Sequence, residues 1–464
     1  MSLFARTLTI FIALYLSAIS LGPASTKAGT PPPEEFIYEM IDAISIDSLR
    51  KHIQVLEEAG GTRSRISFTR GKHNAAVYIR EVFDSMPGLS SVRFDTFYVD
   101  AAIAPFRNMP QVNVVATIEG SVYPDSYYVI GGHYDSIADR DDDWNNGANW
   151  QTMEAPGADD NATGVAAVLE LARVLSDPET GFRPDYTLVF VAFGVEERLP
   201  APIRASNTNN NHVGSRHFAQ NARSNNEHIR GMISIDMIGY NNHHMYTSLV
   251  MHNNFMVNQS VQFGTLLYEA NTEFDIGLIM NEPPFARGAY SDHDVFADQG
   301  YPSVLVIENA PPWQSNENYA ANPYYHKTTD TWDKVNMELV RKVTQLNLAT
   351  VAGFGGYIDT SVDDDRLLAD QTAQKLTLIG NYPNPFNPQT NIVFELAETS
   401  QLELSIYDMT GRRITTLLNE SMPPGRHSVP FNALDGGRNL SSGVYLYRIA
   451  GSFGSKSGKM LLIN

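Results

Sequence analysis

The chain has no cysteine among its 464 residues. This absence excludes disulfide bonds, thiolate zinc sites, iron–sulfur clusters and a cysteine nucleophile, so any metal must be held by histidine, aspartate and glutamate. Basic residues are scarce as well, because Lys+Arg 33 against Asp+Glu 52 gives a formal net charge of −19. Such a charge repels nucleic-acid phosphates and anionic lipid, and we expect no nucleic-acid partner.

A long apolar run is found at the N-terminus, where residues 8–21 follow Arg6 and precede the small and polar residues Thr26, Lys27 and Ala28. This is the layout of a secretory signal peptide, and we predict that residues 1–28 form one. An uncleaved membrane anchor is the alternative, but the run is shorter than the ~20 apolar residues that a spanning helix needs. We expect no integral membrane segment in the mature chain.

Residues 29–360 are predicted to form one α/β domain, because apolar runs alternate with helical patterns. Runs that are apolar throughout are typical of strands buried on both faces, and they predict a mainly parallel central sheet flanked by helices. Ligands of such folds bind beyond the carboxyl ends of the strands. The runs are at residues 127–130, 186–193, 232–235 and 303–307.

The C-terminal part of the chain has a different character. Residues 361–376 are acidic and polar without an apolar period, and they predict a linker. Residues 377–464 alternate between apolar and polar positions and are broken by Asn, Gly and Pro, which predicts a small all-β sandwich.

Potential metal ligands follow the first three apolar runs of the α/β domain, and others lie in nearby loops. Histidine and carboxylates without a thiolate suit Zn²⁺, Mn²⁺ or Co²⁺. A shared aspartate can bridge two such ions, and of two adjacent glutamates one can bind metal while the other acts as general base. The candidates are His133, Asp135, Asp159, Asp160, Glu196, Glu197, Asp236 and His326.

Short segments around these residues resemble one family of enzymes. The segments are Gly131-Gly-His-Tyr-Asp-Ser136, Pro156-Gly-Ala-Asp-Asp-Asn-Ala-Thr-Gly164, Phe193-Gly-Val-Glu-Glu197, Ile235-Asp-Met237, Tyr290-Ser-Asp-His293 and His326-Lys-Thr-Thr-Asp-Thr331. Together they make residues 45–355 similar to the zinc-dependent exopeptidases of the two-zinc type, the superfamily of bacterial leucyl aminopeptidases and glutaminyl cyclases. The resemblance implies the zinc exopeptidase fold, two zinc ions per chain, and hydrolysis of N-terminal residues from peptides or proteins.

The resemblance also implies a role for each candidate residue. Glu196 would be the general base, Asp135 would orient the imidazole of His133, and Asp160 would support the ligands without binding metal itself. The peptide bond between Asp159 and Asp160 would be cis. The implied ligands are Asp159 as the bridge, His133 and Asp236 on one ion, and Glu197 and His326 on the other.

Three features depart from the family pattern. An acidic loop at residues 139–147 is expected to be solvated, with a pocket-shaping or Ca²⁺-binding role as the alternative. An insertion at residues 198–212 adjoins the expected base, so substrate preference cannot be transferred from relatives. Tyr290 immediately precedes the Ser-Asp-His segment, which leaves its role in the transition state or the pocket open.

The C-terminal residues 380–464 resemble the sorting domain of type IX secretion cargo. This resemblance implies that the secretion machinery is a partner and that the protein is secreted or held at the cell surface. A β-domain that binds another protein or a glycan is the alternative. The matching segments are Tyr382-Pro-Asn-Pro-Phe-Asn-Pro388, Tyr407-Asp-Met-Thr-Gly411, Ser442-Gly-Val-Tyr-Leu-Tyr-Arg448 and Lys459-Met-Leu-Leu-Ile463.

Other enzyme classes fit less well. The sequence contains no Gly-x-Ser-x-Gly motif of a serine hydrolase and no His-Glu-x-x-His motif of the common metalloendopeptidases. Two alternatives to the aminopeptidase stay open, namely a glutaminyl cyclase on the same fold and a secreted binding protein without catalysis.

Overall fold

A computed structural model describes residues 34–206, 210–241, 244–251, 257–282, 285–288, 290–353, 355–357, 376–396, 398–408, 412–435, 440–451 and 454–462. The predicted signal peptide and residues 361–375 of the predicted linker lie outside the described residues. The chain divides into two compact units, Met1–Asp359 and Thr360–Asn464. Within the described parts, every helix falls short of the length and apolar character needed to cross a membrane.

The first unit is built from helices and one large sheet. Its helices are α1 (Glu34–Asp42), α2 (Ile46–Glu58), α3 (Arg70–Asp84), α4 (Gly164–Leu175), α5 (Val213–Ser224), α6 (Val257–Glu273), α7 (His293–Asp298) and α8 (Met337–Ala352). Its strands are β1 (Ser91–Phe97), β2 (Gln111–Ile118), β3 (Tyr123–His133), β4 (Phe182–Pro184), β5 (Tyr186–Phe193), β6 (His228–Ile235), β7 (Tyr246–Met251), β8 (Ile279–Met280), β9 (Ala286–Arg287), β10 (Ser303–Ile307) and β11 (Gly355–Tyr357).

The large sheet has the order β1-β2-β5-β3-β6-β10-β7-β8, with β9 also paired to β7. Its centre, β5-β3-β6-β10, is parallel, whereas β1, β2 and β7 add antiparallel pairs toward the two sides. The four predicted apolar runs are the buried parts of β3, β5, β6 and β10. The mainly parallel α/β fold predicted from the sequence is therefore confirmed.

Burial on both faces explains why these strands are apolar throughout. Every residue of β5 after Tyr186 is buried, and all of β10 is buried. Helix α4 covers the sheet and is itself almost fully buried. For this reason its own alanine, valine and leucine residues occupy all of its faces.

The parallel register brings the expected ligands to one edge of the sheet. His133, the last residue of β3, pairs with Phe193, the last residue of β5. Gly131 of β3 pairs with Ser234 of β6, so Asp236 follows β6 at the same edge. The candidate site therefore lies beyond the carboxyl ends of three neighbouring parallel strands.

The second unit is all-β, as the sequence predicts. One antiparallel sheet has the order β12-β13-β16 and the other the order β15-β14-β17-β18. Apolar side chains from both sheets, including Phe394, Leu404, Phe431 and Ile449, form one core. The strands are β12 (Leu376–Tyr382), β13 (Gln389–Leu396), β14 (Ser400–Asp408), β15 (Arg413–Met422), β16 (Gly425–Asn432), β17 (Gly443–Gly451) and β18 (Gly454–Leu462).

Candidate metal centre

Two imidazoles face one carboxylate at the edge of the sheet. His133 Nε2 lies 3.2 Å from Asp160 Oδ1 and 3.4 Å from Asp236 Oδ1. His326 Nε2 lies 3.2 Å from the other oxygen of Asp160, Oδ2, and 3.4 Å from Glu197 Oε1. The five side chains thus form two sets of three donors that share Asp160.

These donor sets fit zinc by their spacing and by their chemistry. Donors ~2.0–2.1 Å from a tetrahedral zinc ion stand roughly 3.3 Å from one another, and in both sets the imidazole nitrogen lies 3.2–3.4 Å from each carboxylate. Asp236 Oδ1 and Glu197 Oε1 are buried and have no hydrogen-bond partner among the described residues. Buried carboxylate oxygens without a donor are costly, and a cation would satisfy them.

The carboxylate that lies between the two imidazoles is not the one expected from the sequence. The carboxylate of Asp159 accepts hydrogen bonds from Gly239 N at 2.7 Å and from Asn322 Nδ2 at 2.9 Å, away from the two imidazoles. Its neighbour Asp160 has a non-helical backbone and directs its carboxylate between them. The expectation that Asp159 bridges is therefore wrong, and so is the predicted cis bond, because the cis peptide joins Asp160 to Asn161.

The pKa values of the cluster reflect its burial and the crowding of its carboxylates. Burial raises the pKa of Glu196 and of Glu197 to about 8. Burial alone would lower the pKa of His133 and His326, but the facing carboxylates raise both well above the usual value. A buried cluster of this composition requires protons or cations among its carboxylates, and it suits divalent metal.

Glu196 stands beside the donor sets. Its Oε1 lies 2.8 Å from His212 Nε2, and its Oε2 lies 3.9 Å from His133 Nε2. Both Glu196 and His212 are buried. One oxygen of the expected base thus lies against the imidazole of His212, and the other faces the donor sets.

Asp135 positions the two glutamates more directly than it positions His133. Its carboxylate accepts from the backbone N–H groups of Glu196 at 3.0 Å and Glu197 at 3.2 Å. His133 Nδ1 instead lies 3.1 Å from the main-chain carbonyl of Asp135, and 3.8 Å from its Oδ1. Asp135 therefore supports the site mainly by fixing the turn after β5.

Backbone conformation also contributes to this arrangement. Val195, Met237 and His326 all have positive φ, at 62°, 47° and 58°. Such φ values are unfavourable for these residues, at about 1–3 kcal/mol each. Val195 and Met237 adjoin Glu196 and Asp236, so the strained turns occur where the ligands leave the strands.

Several supporting residues were not found by sequence reasoning. His326 Nδ1 lies 2.8 Å from Asp139 Oδ1, which comes from the acidic loop that we expected to be solvated. Asp330 accepts from the N–H groups of both Asp159 and Asp160, at 2.9 and 3.0 Å. Asp330 lies in the His-Lys-Thr-Thr-Asp segment and could have been suspected, whereas Asp139 carries no signal in the sequence.

A buried arginine joins the loops behind the site. Arg65 is fully buried, and its guanidinium donates to the main-chain carbonyls of Leu56, Tyr134, Pro156 and Gly157 at 2.5–2.9 Å. These carbonyls precede Asp135 and the 158–163 segment. Arg65 therefore fixes the relative position of two ligand-bearing loops.

A cavity of about 250 Å³ opens onto the donor sets. The insertion contributes Arg198, Asn211 and His212 to its wall, and the acidic loop contributes Asp139 and Arg140. The remaining lining residues are His133, Asp160, Glu196, Glu197, Asp236, Met237, Tyr290, Ile307, Pro312, Trp313, Tyr325 and His326.

Two segments of the chain match known protein families. Residues 113–351 match the model of peptidase family M28, which is more than half of the chain. The chain belongs to peptidase family M28. Residues 381–464 match the secretion system C-terminal sorting domain, which indicates export by type IX secretion.

Individual relatives are distant. A probable zinc metalloprotease of Pyrenophora tritici-repentis is 27% identical over 326 residues, which is 62% of this chain and 67% of that protein. The solved LapA aminopeptidase of Legionella pneumophila is 19% identical with a TM-score of 0.52, covering 73% of this chain and 79% of that one. The Tannerella forsythia glutaminyl cyclase is 20% identical with a TM-score of 0.51, covering 67% of this chain and 98% of that one. This M28 protein is thus a zinc metallopeptidase by family, and the two solved structures share its fold.

Proposed function

We propose that this M28 protein is an exported aminopeptidase that removes N-terminal residues from peptides with the help of two zinc ions. The position of Asp160 between two imidazoles carries the proposal, because each of its oxygens lies 3.2 Å from a different histidine. One zinc would be held by His133, Asp160 and Asp236, and the other by Asp160, Glu197 and His326. When bound, the ions supply Lewis acidity that polarises the scissile carbonyl and acidifies the attacking water.

Glu196 is the proposed general base. It accepts a proton from the attacking water and returns it to the amine of the leaving peptide. His212 Nε2 lies 2.8 Å from one oxygen of Glu196, and this contact would keep the other oxygen directed at the donor sets. Asp135 holds the backbone of the same turn and keeps Glu196 next to Glu197.

The requirement for a free N-terminus follows from charge. Asp139 and Glu196 line the cavity outside the two donor sets, and their carboxylates would attract the cationic α-amine of a peptide. N-terminal acetylation removes that cation. The substrates proposed are therefore peptides or proteins with unblocked N-termini.

Substitutions at three positions test the assignments. Glu196→Gln should keep zinc and lose about 10²–10⁴-fold in kcat, because the base is lost and the ligands remain. Asp160→Asn should lose zinc, whereas Asp159→Asn should retain it, since an amide oxygen can still accept from Gly239 N. Equal zinc loss in the two asparagine variants, or normal turnover in Glu196→Gln, would refute the assignments.

We further propose how the chain is exported. Residues 1–28 would act as a cleaved signal peptide, residues 29–360 as the catalytic domain, residues 361–376 as a linker, and residues 377–464 as the domain that the type IX machinery binds. A chain ending at residue 376, expressed in a host with type IX secretion, should stay in the periplasm and remain active. Secretion of the truncated chain at the level of the full chain would contradict this role.

A further inference from the structure

Two cationic side chains stand at the acidic cavity, and the proposed mechanism uses neither. Arg140 comes from the acidic loop and Arg198 from the insertion, and both line the cavity beside the donor sets. Both side chains are exposed, and neither guanidinium forms an ion pair with a carboxylate in the described parts of the chain.

Arg140 is held in place by aromatic rings. Its guanidinium carbon lies 4.7 Å from the ring centre of Trp313 and 4.6 Å from that of Tyr325. Tyr325 in turn stacks on the imidazole of His326, with the ring centres 3.8 Å apart. Stacking engages the face of a guanidinium and leaves the N–H donors at its edge free. Arg140 therefore offers an unused hydrogen-bonding fork at a short distance from a proposed zinc ligand.

We propose that Arg140, assisted by Arg198, binds a carboxylate of the substrate one or two residues beyond the scissile bond. This inference rests on the proposed aminopeptidase function and narrows its substrate class. The carboxylate is the C-terminal group of a dipeptide or tripeptide, or an acidic side chain at the same distance. The planar fork of arginine matches a carboxylate with two parallel hydrogen bonds.

Charge and size both support this substrate class. The chain carries a formal charge of −19, and Arg140 and Arg198 are the arginines of the cavity wall that can receive an anionic group of the substrate. One extended residue spans about 3.3–3.6 Å, so the C-terminus of a di- or tripeptide stays close to the scissile bond. The cavity of about 250 Å³ is small for a binding site and favours a short substrate.

Three substrates on the zinc-loaded full chain test the inference. Leu-Ala has a free C-terminal carboxylate, Leu-Ala-amide has none, and Leu-Glu-amide has a side-chain carboxylate only. We expect kcat/KM for at least one carboxylate-bearing peptide to exceed that for Leu-Ala-amide by about tenfold or more, mainly through KM. The better of the two identifies the source of the carboxylate.

Variants of Arg140 show whether this preference depends on the guanidinium. Arg140→Gln should reduce the preference to less than about threefold, mainly by raising KM for the carboxylate-bearing peptide, and Arg198→Gln should reduce it by a smaller factor. The matched control is Arg230→Gln, because Arg230 also stacks on a tyrosine, Tyr186 at 4.6 Å, but lines a different cavity. The control should keep the full preference.

Binding gives a readout that does not need turnover. Calorimetry on zinc-loaded Glu196→Gln should show tighter binding of the carboxylate-bearing peptide than of the amide, and adding Arg140→Gln should remove the difference. Equal kcat/KM and equal binding for all three peptides, or a preference that survives Arg140→Gln, would overturn the inference while leaving the aminopeptidase proposal intact. If no unblocked peptide is cleaved, the proposed function fails, and the binding comparison still decides the role of Arg140.

Discussion

Arg65 offers the sharpest test of how the site is held together. Arg65→Met removes a fully buried guanidinium while keeping an unbranched side chain of similar length. The guanidinium donates to four main-chain carbonyls, those of Leu56, Tyr134, Pro156 and Gly157. The substitution leaves these acceptors without their donor in a region that excludes water.

The expected loss of stability follows from two opposing effects. A buried acceptor without its donor costs about 1–3 kcal/mol, so four of them amount to several kcal/mol even where some find water. The burial that lowers the pKa of Arg65 to about 10 also means that removing the charge relieves a desolvation penalty. The unpaired carbonyls outweigh this relief, and we expect a net loss of about 3 kcal/mol or more.

Urea unfolding of metal-free wild-type and variant chains, at one pH, measures this loss. Arg50→Met is the control, because Arg50 is more than one third exposed and pairs with Asp47, which is 91% exposed. The control should cost less than about 1 kcal/mol. A cost below about 1 kcal/mol for Arg65→Met would refute the view that this arginine fixes the two loops.

Other positions give further predictions. Asp139→Asn should weaken the binding of one zinc about 10–100-fold by equilibrium dialysis, because Asp139 orients His326; unchanged affinity would contradict this. His212→Ala should keep two zinc ions but lose about tenfold in kcat, because Glu196 loses the imidazole that lies 2.8 Å from its Oε1 and positions it; loss of zinc instead would make His212 a structural residue. Burial lowers the pKa of His52 to about 4, so the unfolded chain takes up a proton below pH 6.5 while the folded chain does not, and stability falls as the pH drops. Between pH 7 and 4.5 the free energy of unfolding, measured with urea, should fall by roughly 2 kcal/mol less in His52→Gln than in the wild type. An identical pH dependence in the variant would contradict this.

The fold could be predicted from the sequence because burial leaves a direct trace there. Strands covered on both faces are apolar throughout, as in β5 and β10, and the polar residues that follow them stand out. The parallel order then places those residues at one edge. His133, Glu197 and Asp236 meet for this reason.

The choice between Asp159 and Asp160 could not be made from residue type or spacing. The two are adjacent aspartates, and their carboxylates separate only because the backbone at Asp160 and Asn161 leaves the helical region. Asp159 then bonds to Gly239 and Asn322 while Asp160 turns to the histidines. Backbone conformation at Asp160 and Asn161 therefore determines which carboxylate faces the histidines.

The residues missed altogether reach the site through long-range contacts. Asp139 meets His326 from a position 187 residues away, and Arg65 meets Gly157 from 92 residues away. Such contacts depend on the path of loops, which has no periodicity that a sequence pattern could reveal. A fully buried arginine is also rare enough that composition argues against expecting one.

Zinc content per purified chain, measured together with amino-acid release from unblocked and N-acetylated peptides, tests the central claim most directly. We predict two zinc ions per chain and release from the unblocked peptides alone. One zinc ion with loss of ammonia from N-terminal glutamine, and without amino-acid release, would contradict the proposal in favour of a glutaminyl cyclase. A chain that binds no zinc and cleaves neither peptide would instead be a secreted binding protein.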